Sequence, residues 1–483
     1  MAYKHGVYTS EQATGLVPMT QTDSGLIVAF GTAPLHLASA AADANKPVLC
    51  YTYKEAVAAF GYSDDWEKYT LCEVIKTQFA YFNMAPVVLV NVLDPATHKK
   101  DEKDKEVAIS QGVATVTDPA LIATLKVALA AGGEALTADT DYTAAYNDAG
   151  TLIITPISGG KITSDATKIF VSYTALDPAK VTATDIVGGV NTTTNKTEGL
   201  ELIEEVYPRF GLVPGIIIAP GWSSDAAVSA VMKAKEHNIC GHFNAISICD
   251  IPTDEVTAYT AASEWKNKKN FADKDCLLCW PMLKLGTEKF HFSAQLASVI
   301  NYTDSQHDSI PYYSPSNKTL QADGACLKDG TEVFLNASQA AYLNGQGVIT
   351  ALNFIGGWKS FGNRTTAYPS NTDVKDNFIS NRRMFNWVGN TLVTTFWNKI
   401  DDPTNRRLIE TIVDSANIWL NGLTAKGALL GGRVEFRDDE NTTTDLMDGI
   451  IHFHVYMTPP APARDIEFVQ EYDPDYISTL FAA

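Results

Sequence analysis

The chain has 483 residues, more than one hydrophobic core usually organises, so about two to four domains are expected. Its 37 basic and 56 acidic residues give a formal charge of −19, which opposes binding to phosphate backbones. No stretch reaches the roughly 18 consecutive apolar residues of a membrane span, and MAYKHGVYTS lacks the apolar run of a signal peptide. These features predict a soluble protein that folds in the cytoplasm where it is made, without nucleic acid as partner and without membrane insertion.

Residues 1–22 read as an arm: Tyr3, Val7 and Tyr8 lie in a short strand-like run, followed by polar, Gly- and Pro-containing chain without helical period. LIVAFGTA (26–33) then predicts a strand buried on both faces. Helices are predicted over 53–60, stopped by Gly61, and over 66–83, followed by the strand PVVLVNVL. HKKDEKDKE (98–106) reads as a solvated linker.

Composition then shifts to Thr, Ala, Val, Gly and Asp, with the short strands LKVALA, DYTAAY, TLIITPI and KIFVSYTAL. This predicts an all-β sandwich over 106–195, inserted into an α/β core of 23–105 and 196–355 whose two halves share a largely parallel sheet. Past the insertion, helix and strand signals alternate again, through VPGIIIAP, FNAISICDI and CLLCWPML.

An α+β unit is expected over 356–463. It has one helix over 373–400, with Phe378, Phe385, Leu392 and Phe396 on a stripe, and a second over 403–420. Asp402 as N-cap, Pro403 in the first turn and Gly422 past the end bound the second helix. GGRVEFRDD and IIHFHVYM are predicted strands. TPPAPA must run extended, and DIEFVQEY then alternates once more, with Ile466, Phe468 and Tyr472 on one side. A lone strand beyond a stiff spacer needs a sheet edge, either on its own domain or on another copy.

The order of these segments resembles the contractile tail sheath proteins of bacteriophages and phage-derived particles, especially the Gram-positive type. The resemblance is carried by GVYTSEQATGLVPM with TDSGLIVAFGTAP, KIFVSYTALDP, WKSFGNRTT with Asn381-Arg382-Arg383, and the ending HVYMTPPAPARDIEFVQEYD. It implies a subtilisin-like α/β core without protease function, in a subunit of stacked hexameric rings around a tail tube that contract to drive the tube through a cell envelope. The implied partners are other copies, the tube protein, and baseplate and tail terminator proteins. The implied location is a virion tail or phage-tail-like particle, assembled in host cytoplasm. It also implies that N-terminal arms (Tyr3, Val7, Tyr8) and C-terminal arms of 464–483 (Ile466, Phe468, Tyr472) add strands to a neighbour's sheet containing Val434, Phe436, Ile451, Phe453 and Val455. Arg382, Arg383, Arg406 and Arg407 read either as a solvated face or, by the resemblance, as a tube-facing basic surface.

Other chemistry is weakly signalled. Ser223 and Ser224 in GWSSD lack the Gly-x-Ser-x-Gly elbow and read as N-caps with Asp225. His237, Cys240 and His242, with Cys276 and Cys279, suggest zinc, yet Cys276 and Cys279 point to opposite faces of an apolar strand. The seven cysteines, such as Cys50 and Cys249, sit in apolar surroundings that suit buried reduced thiols. NGQGVI and FIGGWKSFG lack nucleotide-loop spacing. No catalytic, cofactor-binding or metal residue is expected. An enzyme on a subtilisin-like or Rossmann-like core is the alternative, and a cell-surface scaffold a third class.

Overall fold

The computed structural model describes residues 16–193 and 195–481; Tyr3, Val7 and Tyr8 lie outside them. Its centre is a six-stranded sheet in the order Cys276–Cys279, Ile246–Asp250, Ile216–Ile218, Ile27–Gly31, Val87–Asn91, Val48–Cys50. The first five strands run parallel, and the last closes one edge antiparallel. Every residue of Ile27–Gly31, Val87–Asn91 and Ile246–Asp250 is buried, because helices cover both faces, which is why these strands read as continuous apolar runs. The Phe292–Ser305 helix is buried over nearly its whole length. Among the described residues no helix is long and apolar enough to cross a membrane.

A second six-stranded sheet, entirely antiparallel, occupies 99–176 in the order Lys126–Ala128, Lys168–Leu176, Lys99–Ser110, Val113–Val116, Leu152–Pro156, Tyr142–Tyr146. Val127, Ile169 and Val171 from one end and Ala114, Val116, Leu152 and Ile154 from the other share one apolar core, separate from that of the parallel sheet. The charged run expected to be a linker is instead, from Lys99 to Glu106, the first two thirds of the 12-residue Lys99–Ser110 strand. Its charges are accommodated on the sheet surface: Lys105 pairs with Asp118, Glu106 with Lys168, and Thr174 donates to Asp101. Strand formation here needs backbone pairing to Lys168–Leu176, which charge composition does not reveal.

The last third packs the Ile379–Phe396 and Arg406–Ala425 helices around Met384, Trp387, Ala416, Trp419, Leu420 and Leu423. Three expectations shift here. The buried face of the first helix carries Arg383, Met384, Trp387, Thr391 and Thr395, whereas Phe385, Leu392 and Phe396 are only half-buried. The second helix begins after Asn405, whose side chain accepts from Leu408 N at 2.9 Å, so Asp402 is not its cap. It continues through Gly422 to Ala425 and stops before Gly427, whose φ of 77° suits the left-handed region.

Candidate polymerisation site

Gly431–Phe436 and Phe453–Thr458 form a two-stranded antiparallel ribbon, in register from Gly431 opposite Thr458 to Phe436 opposite Phe453. Val434 is buried, and Phe453, Val455 and Met457 pack onto the same apolar core. Ile451 lies before the second strand, half-buried, because Asn441 captures the backbone N–H and C=O of His452 and ends the pairing there.

The two edges of this ribbon differ. Asn417 of the neighbouring helix accepts from Val434 N at 2.7 Å and donates to Val434 O at 3.0 Å, so one edge is met by a side chain of its own subunit. Val434 therefore turns its backbone groups away from Val455. By antiparallel alternation Val455, and with it Phe453 and Met457, turns its own toward the opposite edge. No partner for that edge occurs among the described residues, which makes it a template for an incoming strand.

The C-terminal arm has the complementary deficit. Beyond Thr458 the chain runs without regular structure to residue 473 and pairs with no strand among the described residues. Ile466, Phe468, Val469 and Tyr472 are 70%, 86%, 84% and 77% exposed, far more than isolated surface apolar residues usually combine to present. Tyr476 and Leu480 extend this surface through the final Pro474–Phe481 turn.

The paired arginines separate into two kinds. Arg383 is buried against Asp304, with Nη1 to Oδ1 at 3.0 Å, and also donates to Ser24 O at 3.1 Å. Arg382 reaches Asp275 at 3.0 Å and Asp376 at 3.3 Å. Both are turned inward, which corrects the expectation of a basic face at these two positions. Arg406 and Arg407 are exposed, and Arg406 pairs with Glu410 one turn on.

The zinc candidates do not converge. His237 Nε2 lies 3.5 Å from Asp275, the Cys240 thiol donates to Glu204 O, and His242 stands edge-on to the Trp397 ring. Cys276 and Cys279 are buried in the parallel sheet. Glu236, His237 and Asp275 do approach one another, but Ser247 holds Glu236, while Arg382 and Asn386 hold Asp275.

A cavity of about 370 Å³ opens at the carboxyl ends of the parallel strands, where chain order reverses between Ile27–Gly31 and Ile216–Ile218. Asp225 caps the helix after GWSSD, while Ser223 is buried with its amide-side partner Asp250. Asp250 also accepts from Ser293 N and Oγ, and Glu73 accepts from the backbone N–H and Nδ1 of His291. Sequence reading missed this network because its members lie far apart along the chain and no motif links them. Burial pushes the Glu73 and Asp250 carboxyls up. For His291, burial acts to lower the pKa but is outweighed by the charge and hydrogen bond of Glu73, leaving the imidazole raised to about 9. The hydroxyl of Ser223 is engaged by Asp250 and His291 by Glu73, so the groups satisfy one another and no serine–histidine relay is assembled.

The ribbon thus has an open edge and the arm no strand partner among the described residues, while in the cavity Ser223, Asp250, Ser293, Glu73 and His291 are engaged with one another. No protein-family profile matches the chain. It is 29% identical, over 99% of its length and 98% of the relative's, to a tail sheath protein of Burkholderia phage BcepMu. It is 23% identical, over 64% of its length and 75% of the relative's, to the major tail sheath protein of Serratia phage KSP20. Among solved structures it resembles the contracted sheath of an extracellular contractile injection system, with a TM-score of 0.58 at 14% identity over 98% of this chain and 99% of that one. A crystal structure of a sheath tail protein from Desulfitobacterium hafniense gives 0.50 at 11% identity over 94% and 96%. The chain is a contractile tail sheath protein, a structural subunit and not an enzyme.

Proposed function

We propose that this subunit forms stacked hexameric rings around a tail tube and stays linked to its neighbours by strand exchange while the rings contract and drive the tube through a cell envelope. In this reading the neighbour's arm, with Ile466, Phe468 and Tyr472, pairs along the open Phe453–Thr458 edge. The N-terminal arm, with Tyr3, Val7 and Tyr8, completes the sheet built on Val434, Phe436, Phe453 and Val455. The observation that carries it is the coexistence, in one chain, of an exposed apolar arm without a partner and a ribbon with an unpaired edge.

The domain layout fits this role. In this reading a subtilisin-like core over 23–98 and 196–355 and an insertion of 99–195, which begins with the Lys99–Ser110 strand, form the body, and the unit of 356–463 carries the exchange sheet. Arg406 and Arg407 are the basic residues left to face the tube, where charge complementarity would guide docking. Baseplate and terminator proteins would meet the ends of the stack, in a virion tail or phage-tail-like particle. Contraction needs no cofactor. If it buries a further ~40 Å² of apolar surface per subunit it gains about 1 kcal/mol at every copy, and the sum over the lattice makes reversal improbable.

Deleting residues 464–483 tests the reading. Negative-stain microscopy of the intact protein should show hollow tubes or stacked rings, and the truncated protein should remain monomeric with an unchanged melting temperature. Tubes of ordinary length from the truncated protein would sink the strand-exchange reading.

A further inference from the structure

Residues 17–24 run antiparallel to the Ile379–Phe396 helix and are held by their backbone, at alternate positions, by side chains of that helix and the next. Val17 N donates to Ser415 Oγ at 2.8 Å. Thr20 N donates to Thr395 Oγ1 at 3.0 Å, and Thr20 O accepts from Thr394 Oγ1 at 3.0 Å. Thr22 N donates to Thr391 Oγ1 at 3.4 Å, and Thr22 O accepts from Trp387 Nε1 at 2.8 Å. Ser24 O accepts from Arg383, and Ser24 Oγ donates to Asp304 at 2.7 Å.

The gripping residues fall on one helical stripe: Arg383, Trp387, Thr391 and Thr395 are spaced four apart. Four residues of helix rise about 6 Å, close to the roughly 6.6 Å spanned by two residues of extended chain, so such a stripe can follow alternate backbone groups. Helical threonines commonly turn their hydroxyls back to their own carbonyls. Those of Thr391 and Thr395 face the strap instead, while the single hydroxyl hydrogen of Thr394 is shared between Thr20 O and the carbonyls of Asn390 and Thr391 in its own helix. At its far end the strap enters the core where no side chain fits: a Cβ on Gly215 would lie 2.3 Å from Ser24 O.

We infer that this stripe is the fixture that positions the N-terminal arm, gripping residues 17–24 and so fixing the point at which the arm joins the body. The inference rests on the reading that the arms link neighbours, and it adds which residues set the arm's root. The helix acts here as a substitute sheet edge. It holds the strap chiefly by its backbone, while the Thr22 and Ser24 hydroxyls meet Thr391 and Asp304 and Met19 packs on the apolar core. A pull on the arm would be delivered through Thr391, Thr394, Thr395 and Trp387 to the Arg383–Asp304 pair, and so to the Phe292–Ser305 helix.

The test is a triple variant of the full-length chain, Thr391→Val, Thr394→Val and Thr395→Val, which keeps side-chain shape and removes the hydroxyls. By amide hydrogen exchange on the unassembled protein, the Thr20 and Thr22 amides should exchange about tenfold faster or more, as loss of a hydrogen bond allows. The helix amides of 383–395 should be unchanged. In assembled form the variant's tubes should break on dilution sooner than wild type.

Wild-type exchange at Thr20 and Thr22 would overturn the inference, as would tubes as durable as wild type despite faster exchange. If the triple variant loosens the helix itself, Thr395→Val alone decides: faster exchange confined to Thr20 supports the fixture, and spread along the helix removes it. Deleting residues 2–15 keeps the two readings apart. Unchanged tubes from that deletion would remove the arm's role in linking neighbours, whereas the exchange result reports only on the grip.

Discussion

The parallel-sheet core and the C-terminal ribbon use hydrogen-bonding capacity in opposite ways. In the core, the four inner strands are flanked on both sides, the cavity's carboxylates are held by Ser223, Ser293 and His291, and even Arg382 and Arg383 are drawn inward onto Asp275 and Asp304. In the ribbon, one edge is closed by a single side chain, Asn417, while the other is open, and the arm beyond it exposes Phe468 and Tyr472. Among the described residues, the core's inner strands find their backbone partners within the subunit and the ribbon's open edge finds none. This division suits a subunit whose body moves as a unit while its ends stay joined to other copies.

The largest expected effect breaks the ribbon edge while sparing the body. Met457→Pro removes an N–H that points to the open edge, where proline is tolerated in an isolated subunit. Sedimentation should show loss of assembly, with only the modest fall in melting temperature expected from losing the half-buried Met457 side chain. Tyr456→Pro removes an N–H directed inward at Arg433, so it should instead unfold the ribbon. Equal behaviour of the two variants would contradict the assignment of the open edge.

Next in size is the joint between body and C-terminal unit. Arg383→Ala leaves Asp304 buried without its counter-charge, and breaking such pairs costs about 3–5 kcal/mol, measured by urea denaturation. Replacing both partners, as Arg383→Met with Asp304→Leu, should recover much of that loss. If the single variant is as stable as wild type, the joint is not what holds the two units together.

A smaller effect concerns pH. The folded pKa of His291, about 9, lies above its ordinary value of 6.5. Its contribution to stability is therefore fully present below about pH 6.5 and is lost as pH rises to 9, amounting to at most about 3 kcal/mol. The quantity to measure is the stability of wild type minus that of His291→Gln, from pH 6 to 9.5. Subtraction cancels Lys266, whose ammonium burial lowers to about 8. A difference that does not shrink with pH would contradict a charged His291 paired with Glu73.

What the sequence made legible follows the same division. The strand buried on both faces announced itself as an apolar run, LIVAFGTA containing Ile27–Gly31, and KIFVSYTAL, read as a strand, is the Lys168–Leu176 strand residue for residue, with burial that alternates along it. The spacer TPPAPA also does what its prolines dictate. The charged Lys99–Ser110 strand escaped because its stabilisation comes from backbone pairing and cross-strand contacts supplied by residues 13 to 77 positions away. The arginine pair at 382–383 misled for a related reason. Composition makes adjacent arginines look solvated, whereas Asp275 and Asp304, brought in by tertiary structure, decide their direction. The hydrogen-bonding stripe of threonines was likewise invisible, since helical period alone does not say that polar residues can form a buried face.

The smallest effect separates the sequence reading of one helix from its structure. Asp402-Pro403 carries every local mark of a helix start, yet the cap is Asn405, which accepts from Leu408 N, and residues 402–404 precede the first turn. Asn405→Ala should therefore cost about 1 kcal/mol, the usual loss on removing an N-cap. Asp402→Ala should cost little, because that side chain only meets the exposed Lys399 at 3.2 Å. Chemical denaturation of the two variants in the assembly-deficient Met457→Pro background reads the difference without interference from polymerisation. If Asp402→Ala proves the more damaging, the helix starts one turn earlier, and the surface offered by Arg406 and Arg407 is rotated and displaced accordingly.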